Sequence, residues 1–251
     1  FNGAGLLLNS VWGSSSTDVW GVGDFIRHYN GSAWTYVSKP VPQQLRGVWA
    51  ASPRDAWAVG SGGAIVHFDG TAWAQQSSGV ALTLNGVWGT SASDVWAVGD
   101  GGIVLHFDGT SWTSQVSGTT SALQDVRGAV PNDVVAVGVN GTVVRNQGSG
   151  WSVQAVTGNT SFLSAVWAPS SQENYAVSTS AGPPMLRYDG TTWTAADVCG
   201  PNGAQRCSLE AVWGTAAGDV WAVGAKLTSG SPVGGALYRG LRGATVTVTP
   251  A

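Results

Sequence analysis

A single motif returns six times along this chain, and a repeat of fixed period limits the possible folds more than any other feature. Residues Leu84 to Trp112 read LNGVWGTSASDVWAVGDGGIVLHFDGTSW, and Leu45 to Trp73 read LRGVWAASPRDAWAVGSGGAIVHFDGTAW. Leu8 to Trp34 give a shorter copy, LNSVWGSSSTDVWGVGDFIRHYNGSAW, and weaker copies begin at Leu123, Leu163 and Leu209. The leading Trp slot holds Trp12, Trp49, Trp88, Arg127, Trp167 and Trp213, spaced 37 to 46 residues apart. Each copy is a short supersecondary unit that stacks on its neighbours.

The third copy shows what one unit contains. LNGVWG alternates Leu84, Gly86 and Trp88 against Asn85, Val87 and Gly89, as a strand does. VWAVG is a second strand, rich in β-branched and aromatic residues. Asp100, Gly101 and Gly102 form a hairpin turn, because glycine tolerates positive φ. IVLHF is a third strand, the Asp108–Gly109–Thr110 segment turns again, and SWTSQV is a fourth. No segment sustains the apolar spacing of a long helix. Four short strands every ~40 residues predict an all-β fold, a six-bladed β-propeller of four-stranded antiparallel blades. The blades start near residues 8, 45, 84, 123, 163 and 209 of one domain spanning 1–251, with seven blades as the alternative. Too little chain precedes Leu8 to supply a fourth strand to the last blade, so no strand exchange between the termini is expected.

Composition narrows the partners. The net charge is −3 and no basic stripe is present, which argues against nucleic acid. No apolar run reaches the ~20 residues of a membrane span. Charged residues are only 10% of the chain, so Ser, Thr, Asn and Gln carry the surface polarity, as suits an extracellular or cell-surface protein. The two cysteines, Cys199 and Cys207, flank the long loop between the fifth and sixth copies, and a disulfide closing that loop is expected, which requires an oxidising compartment.

Residues that recur in register report packing. His28, His67 and His106 share one slot on the third strand, where Arg145 and Arg187 stand in later copies. Arginine does not ligate zinc, but both residue types donate hydrogen bonds. The expected acceptor is the turn carboxylate of the same blade, at Asp18, Asp55, Asp94, Asp133 and Asp219, and no metal or cofactor is expected. The first-strand Trp residues and the fourth-strand set Trp34, Trp73, Trp112, Trp151 and Trp193 read as blade-to-blade core, not as sugar-stacking platforms.

Residues that vary at a shared slot report a site instead. The position after the leading Leu holds Asn9, Arg46, Asn85, Gln124, Ser164 and Glu210, which are all polar and largely unlike one another. Six such residues would form a polar ring at the mouth of a propeller channel, and Arg127, in place of a Trp, would add a cation nearby. These seven are the candidate ligand-binding residues.

The motif VWAVGDGGxxxHFDGTxW resembles the repeats of bacterial secreted β-propellers, the repeat-rich extracellular proteins and lipoproteins of myxobacteria among them. The Asp-Gly-Thr-x-Trp segment is also distantly similar to the Asp-box of sialidase-type propellers, with different spacing. The resemblance implies a propeller fold and an extracellular setting. No nucleophile elbow, zinc-type His spacing or carboxylate pair indicates an enzyme. The expected function is recognition of a glycan or protein on a cell surface, the alternative being a structural propeller in a larger assembly, with a glycan-active hydrolase or lyase behind both.

Overall fold

The computed structural model describes residues 7–156, 161–179, 183–196, 206–216, 219–228, 231–241 and 244–247. Contacts divide the chain into two compact units, Phe1–Val116 and Ser117–Ala251. Each unit holds three blades, and each blade is four consecutive antiparallel strands in sheet order. Unit one contains β1 (Leu8–Ser15), β2 (Asp18–Gly23), β3 (Ile26–Tyr29) and β4 (Trp34–Val37), then β5 (Leu45–Ser52), β6 (Asp55–Gly60), β7 (Ile65–Phe68) and β8 (Trp73–Gln76). Its third blade is β9 (Leu84–Ser91), β10 (Asp94–Gly99), β11 (Val104–Phe107) and β12 (Trp112–Gln115). Unit two contains β13 (Leu123–Val130), β14 (Asp133–Gly138), β15 (Val143–Asn146) and β16 (Trp151–Val153), then β17 (Leu163–Ser170), β18 (Glu173–Ser178), β19 (Met185–Tyr188) and β20 (Trp193–Ala196). Its last blade is β21 (Arg206–Ala216), β22 (Asp219–Thr228), β23 (Ser231–Leu241) and β24 (Ala244–Thr247). The fold is a six-bladed β-propeller. The fourth strand of the last blade, β24, comes from residues 244–247, and residues 1–6 lie outside the described ones.

The first strand of every blade departs from simple alternation in the same way. Leu45 pairs with Gly60 and Gly47 with Val59, so Arg46 is an extra residue without a cross-strand partner. The same shift isolates Asn9, Asn85, Gln124, Ser164 and Glu210. This β-bulge reverses the phase after the leading Leu. Leu84 therefore shares a face with Val87, not with Gly86 and Trp88 as plain alternation predicts. Leu45 and Val48 accordingly lie in one cluster with Ala50, and Leu163 and Val166 in one with Ala168.

The two faces pack on different neighbours. Within unit one, Trp20, Val22 and Ile26 of the first blade cluster with Leu45, Val48, Ala58, Val66 and Trp73 of the second. Each fully buried Val or Leu contributes roughly 1.5–3 kcal/mol of burial free energy. The opposite face carries a small residue and then a Trp, which meet the following blade. A Cβ on Gly47 would come within 3.2 Å of the Asn85 carbonyl oxygen, so the first strands approach closely there. The Trp docks on a small residue of the next blade. Trp12 Nε1 donates to the Ala50 carbonyl at 3.2 Å, the Trp49 ring lies over Gly89, and Trp167 lies against Gly214.

The deepest aromatics stand on the second strand. Trp20 and Trp57 are each 1% exposed. Trp57 stacks on His67 of its own blade at 4.0 Å between centroids and meets Phe107 and Trp112 of the next blade at 4.7 and 5.4 Å. The first- and fourth-strand Trp residues are less uniform than their recurrence predicts. Trp49, Trp88, Trp73 and Trp193 are buried, whereas Trp213 is 52% exposed and Trp34 45%. Recurrence marks a slot as part of the repeat, but burial depends on what each blade has beside it.

Candidate functional site

Polar groups fall into two sets, one closed within the blades and one at the bulges. The closed set is the clasp joining the third strand to the turn carboxylate. His28 Nε2 lies 2.6 Å from Asp18 Oδ1, and His106 Nε2 lies 2.6 Å from Asp94 Oδ1. Arg145 donates to both oxygens of Asp133 at 2.6 and 2.7 Å, and reaches the Ser171 carbonyl of the next blade at 2.7 Å. The fifth blade uses a glutamate that the sequence reading missed. Glu173 accepts from Arg187 at 3.2 Å and from the Tyr175 hydroxyl at 2.5 Å. Burial, reinforced by Glu173, pushes the Tyr175 hydroxyl up to about 12. The His and Arg slots are thus joined to carboxylates within each of these blades.

A hydroxyl tightens the clasp. In the first blade Ser14 donates to Asp18 at 2.5 Å, and in the third Thr90 donates to Asp94. The second blade has Ala51 in this slot. There Asp55 accepts from Trp57 Nε1 at 3.1 Å, and the His67–Asp55 distance opens to 3.4 Å. Ala51→Thr should restore the hydroxyl contact and raise stability by about 0.5–1.5 kcal/mol. An unchanged or lowered denaturation midpoint would show that the wider His67–Asp55 spacing has another cause.

The Asp-Gly-Thr-x-Trp turns are also self-contained. Asp108 Oδ1 accepts the Thr110 and Ser111 amides and the Thr110 hydroxyl at 2.7–3.0 Å. Asp69 and Asp189 repeat the arrangement. These donors hold all three carboxyls at about 2. Each aspartate shapes the turn that delivers the following Trp to the fourth strand.

The bulged residues form the second set, described one unit at a time. In unit one Asn9 and Arg46 are exposed, while Asn85 is 9% exposed. Asn9 Nδ2 donates to the Leu45 carbonyl of the next blade at 2.7 Å. Arg46 Nη1 donates to Asn85 Oδ1 at 3.2 Å, and Asn85 Nδ2 donates to Asp100 Oδ1 at 3.0 Å. Asp100 belongs to the turn between β10 and β11, where Gly101 and Gly102 have φ of 68° and 73°. The bulges and these turns therefore share one edge of the unit. Asp24, in the equivalent turn of the first blade, accepts from the Leu7 amide and from Gln44 Nε2, both at 2.8 Å. Those bonds, the Leu7 amide first, hold its carboxyl below the usual range.

In unit two Gln124 and Ser164 are half-buried and Glu210 is exposed. Ser164 Oγ donates to the Leu209 carbonyl of the next blade at 3.0 Å, the same tie that Asn9 makes in unit one. Ser208 Oγ donates to Glu210 at 3.3 Å. Asn9 and Ser164 therefore join blade to blade in addition to any role with a ligand.

Arg127 needs a correction. It does not add an open cation, because its Nη1 donates to Asp125 Oδ1 at 2.9 Å and to the Val126 carbonyl at 2.7 Å. Asp125 Oδ2 accepts the Val166 amide of the next blade at 3.0 Å. Burial raises the Asp125 carboxyl, opposed by Arg127 and by the two backbone amides of Val166 and Val126. An ion pair thus replaces the small residue and Trp of the other blades. Cys207 is buried on β21, and Cys199 lies outside the described residues. Among the described residues, no group of three or more His, Cys, Asp or Glu could hold a metal ion, and no helix is long and apolar enough to cross a membrane.

No protein-family model matches this sequence, and no curated protein matches it. Its fold is shared with solved propellers of low identity. YCF48 bound to a D1 peptide aligns with a TM-score of 0.69 and 14% identity, over 94% of this chain and 77% of that one. Virginiamycin B lyase from Staphylococcus aureus aligns at 0.72 and 14% identity, over 93% and 91%. U3-55K aligns at 0.72 and 11% identity, over 95% and 79%.

Proposed function

We propose that this chain is a non-enzymatic binding module that recognises a segment of another protein through its bulged first-strand residues, at a cell surface or in an extracellular assembly. One observation carries the reading. The polar slot that follows the leading Leu, and that changes from copy to copy, is in all six blades the extra residue of a β-bulge. Bulges re-aim side chains and gather near binding sites, and a residue outside the ladder changes without altering strand pairing. The clasps and turns support a binding role over catalysis, because their His, Arg and Asp side chains are held by partners within the repeat. A propeller neighbour that is bound to a peptide supports a protein segment as ligand, whereas the lyase neighbour keeps enzymology as the competing reading.

The test is a parallel screen of the purified protein on an array of short random peptides and on a glycan array. Binding to peptides supports the reading, and binding to glycans alone, or turnover of a bound glycan, overturns it. The extracellular setting has its own check. Cys199 and Cys207 should resist thiol labelling in unreduced native protein. Reduction should then cost about 2–3 kcal/mol, the chain-entropy value for a short loop. Labelling of two thiols without reduction would refute the disulfide.

A further inference from the structure

We infer that Arg46 is a receptor for a peptide carboxylate on the exposed edge of unit one, an inference that rests on the peptide-binding reading above. Four other strand arginines have their charge occupied. Arg127, Arg145 and Arg187 each sit on a carboxylate, and the Arg27 guanidinium lies 3.5 Å from the centroid of the Tyr36 ring. Arg46 is exposed, and among the described residues no carboxylate lies within ion-pair distance of it.

It is nevertheless held in place. One of its nitrogens, Nη1, donates to the buried Asn85 amide, whose own donor is anchored on Asp100. Asn85 thus acts as a spacer. It fixes the guanidinium through a neutral oxygen and links it to the Asp100 carboxylate only at second hand. The Nε and Nη2 donors have no partner among the described residues. A guanidinium presents its N–H groups as a planar fork that fits the two oxygens of a carboxylate. The acidic groups on the same edge are already engaged, Asp24 by the Leu7 amide and Gln44, and Asp100 by Asn85. The bulge at Arg46 is what carries this side chain off the blade and towards solvent.

The chemistry recognised is a carboxylate, supplied by an Asp or Glu side chain or by a free peptide C-terminus. The experiment uses the full chain on an array of short random peptides displayed in three forms. One form has a free C-terminus, one a C-terminal amide, and one has Asp and Glu replaced by Asn and Gln. Peptides bound by the parent should lose about tenfold to a hundredfold in affinity when the relevant carboxylate is removed. Arg46→Gln should lose the same factor, and should no longer distinguish the forms. Arg46→Lys should fall between, since it keeps the charge without the fork. Arg54→Gln, at an exposed turn at the other end of β5, should bind as the parent does. Peptide binding that ignores both the carboxylate and Arg46→Gln overturns this inference and leaves the peptide-binding reading standing. No peptide binding by the parent overturns that reading first.

Discussion

Arg127→Met should lower stability by about 3 kcal/mol at neutral pH, the scale expected when one member of a largely buried ion pair is removed. Asp125 and Arg127 have side chains 13% and 20% exposed. Without the guanidinium, a buried carboxylate keeps only its backbone amides as partners. The double variant Asp125→Gly, Arg127→Trp copies the Gly–Val–Trp of the second and third blades and should lose much less than either single change. Non-additivity of that size is what a direct pair predicts.

The pH dependence gives a second check. Burial raises the folded carboxyl of Asp125 above its unfolded value. The folded state then holds the proton more tightly, so this group favours folding at low pH and loses that contribution as pH rises through its raised value. Removing Arg127 raises it further. The deficit of Arg127→Met should therefore shrink on acidification from pH 7 towards the ordinary carboxylate range of ~4. Denaturant midpoints across that range decide it, and a deficit that stays constant or widens would mean the Arg127 stem matters more than its charge.

Trp57→Ala should be the costliest single truncation, at about 4–5 kcal/mol. Its ring stacks on His67 and touches both Phe107 and Trp112 of the next blade. Trp112→Ala removes a half-buried ring and should cost about 2 kcal/mol, below the fully buried range. Trp34→Ala, at a 45% exposed position, should cost less again. The order Trp57, Trp112, Trp34 is the prediction, and urea titration of the three variants tests it. Equal losses would mean that membership of the repeat, and not burial, sets the energetics.

Much of the fold is visible in the sequence because the repeat restates it. Three near-copies place the four strands, and the matching positions of Asp94 and His106 or Asp133 and Arg145 announce the clasp. Glu173 is less visible, since it fills a slot where the other copies have Asp, one methylene shorter. The bulge hides for a different reason. Leu84, Gly86 and Trp88 satisfy strict alternation on paper, and an inserted residue leaves no compositional mark when the residues around it are Asn and Gly. The polar slot is therefore legible as variable, while its cause emerges only from strand register. Arg127 misleads because its partner, Asp125, sits in a slot that Gly, Ser or Ala fills elsewhere. The two departures explain each other only when they are seen as neighbours on one strand face.

The six bulges separate what this protein must keep from what it is free to change. Packing constrains the buried Leu and Val of the first strand in the second to sixth blades, so drift there is penalised. The residue between Leu and the small residue has no ladder partner to satisfy and differs in every blade but the first and third. One copied blade can thus diverge at a single codon while its architecture stays intact. Duplication of this repeat multiplies variable positions along with the scaffold that presents them, which makes the slot a natural place to randomise when redirecting the protein to a new target, with Arg46 and Asn85 changed together because they are bonded to each other.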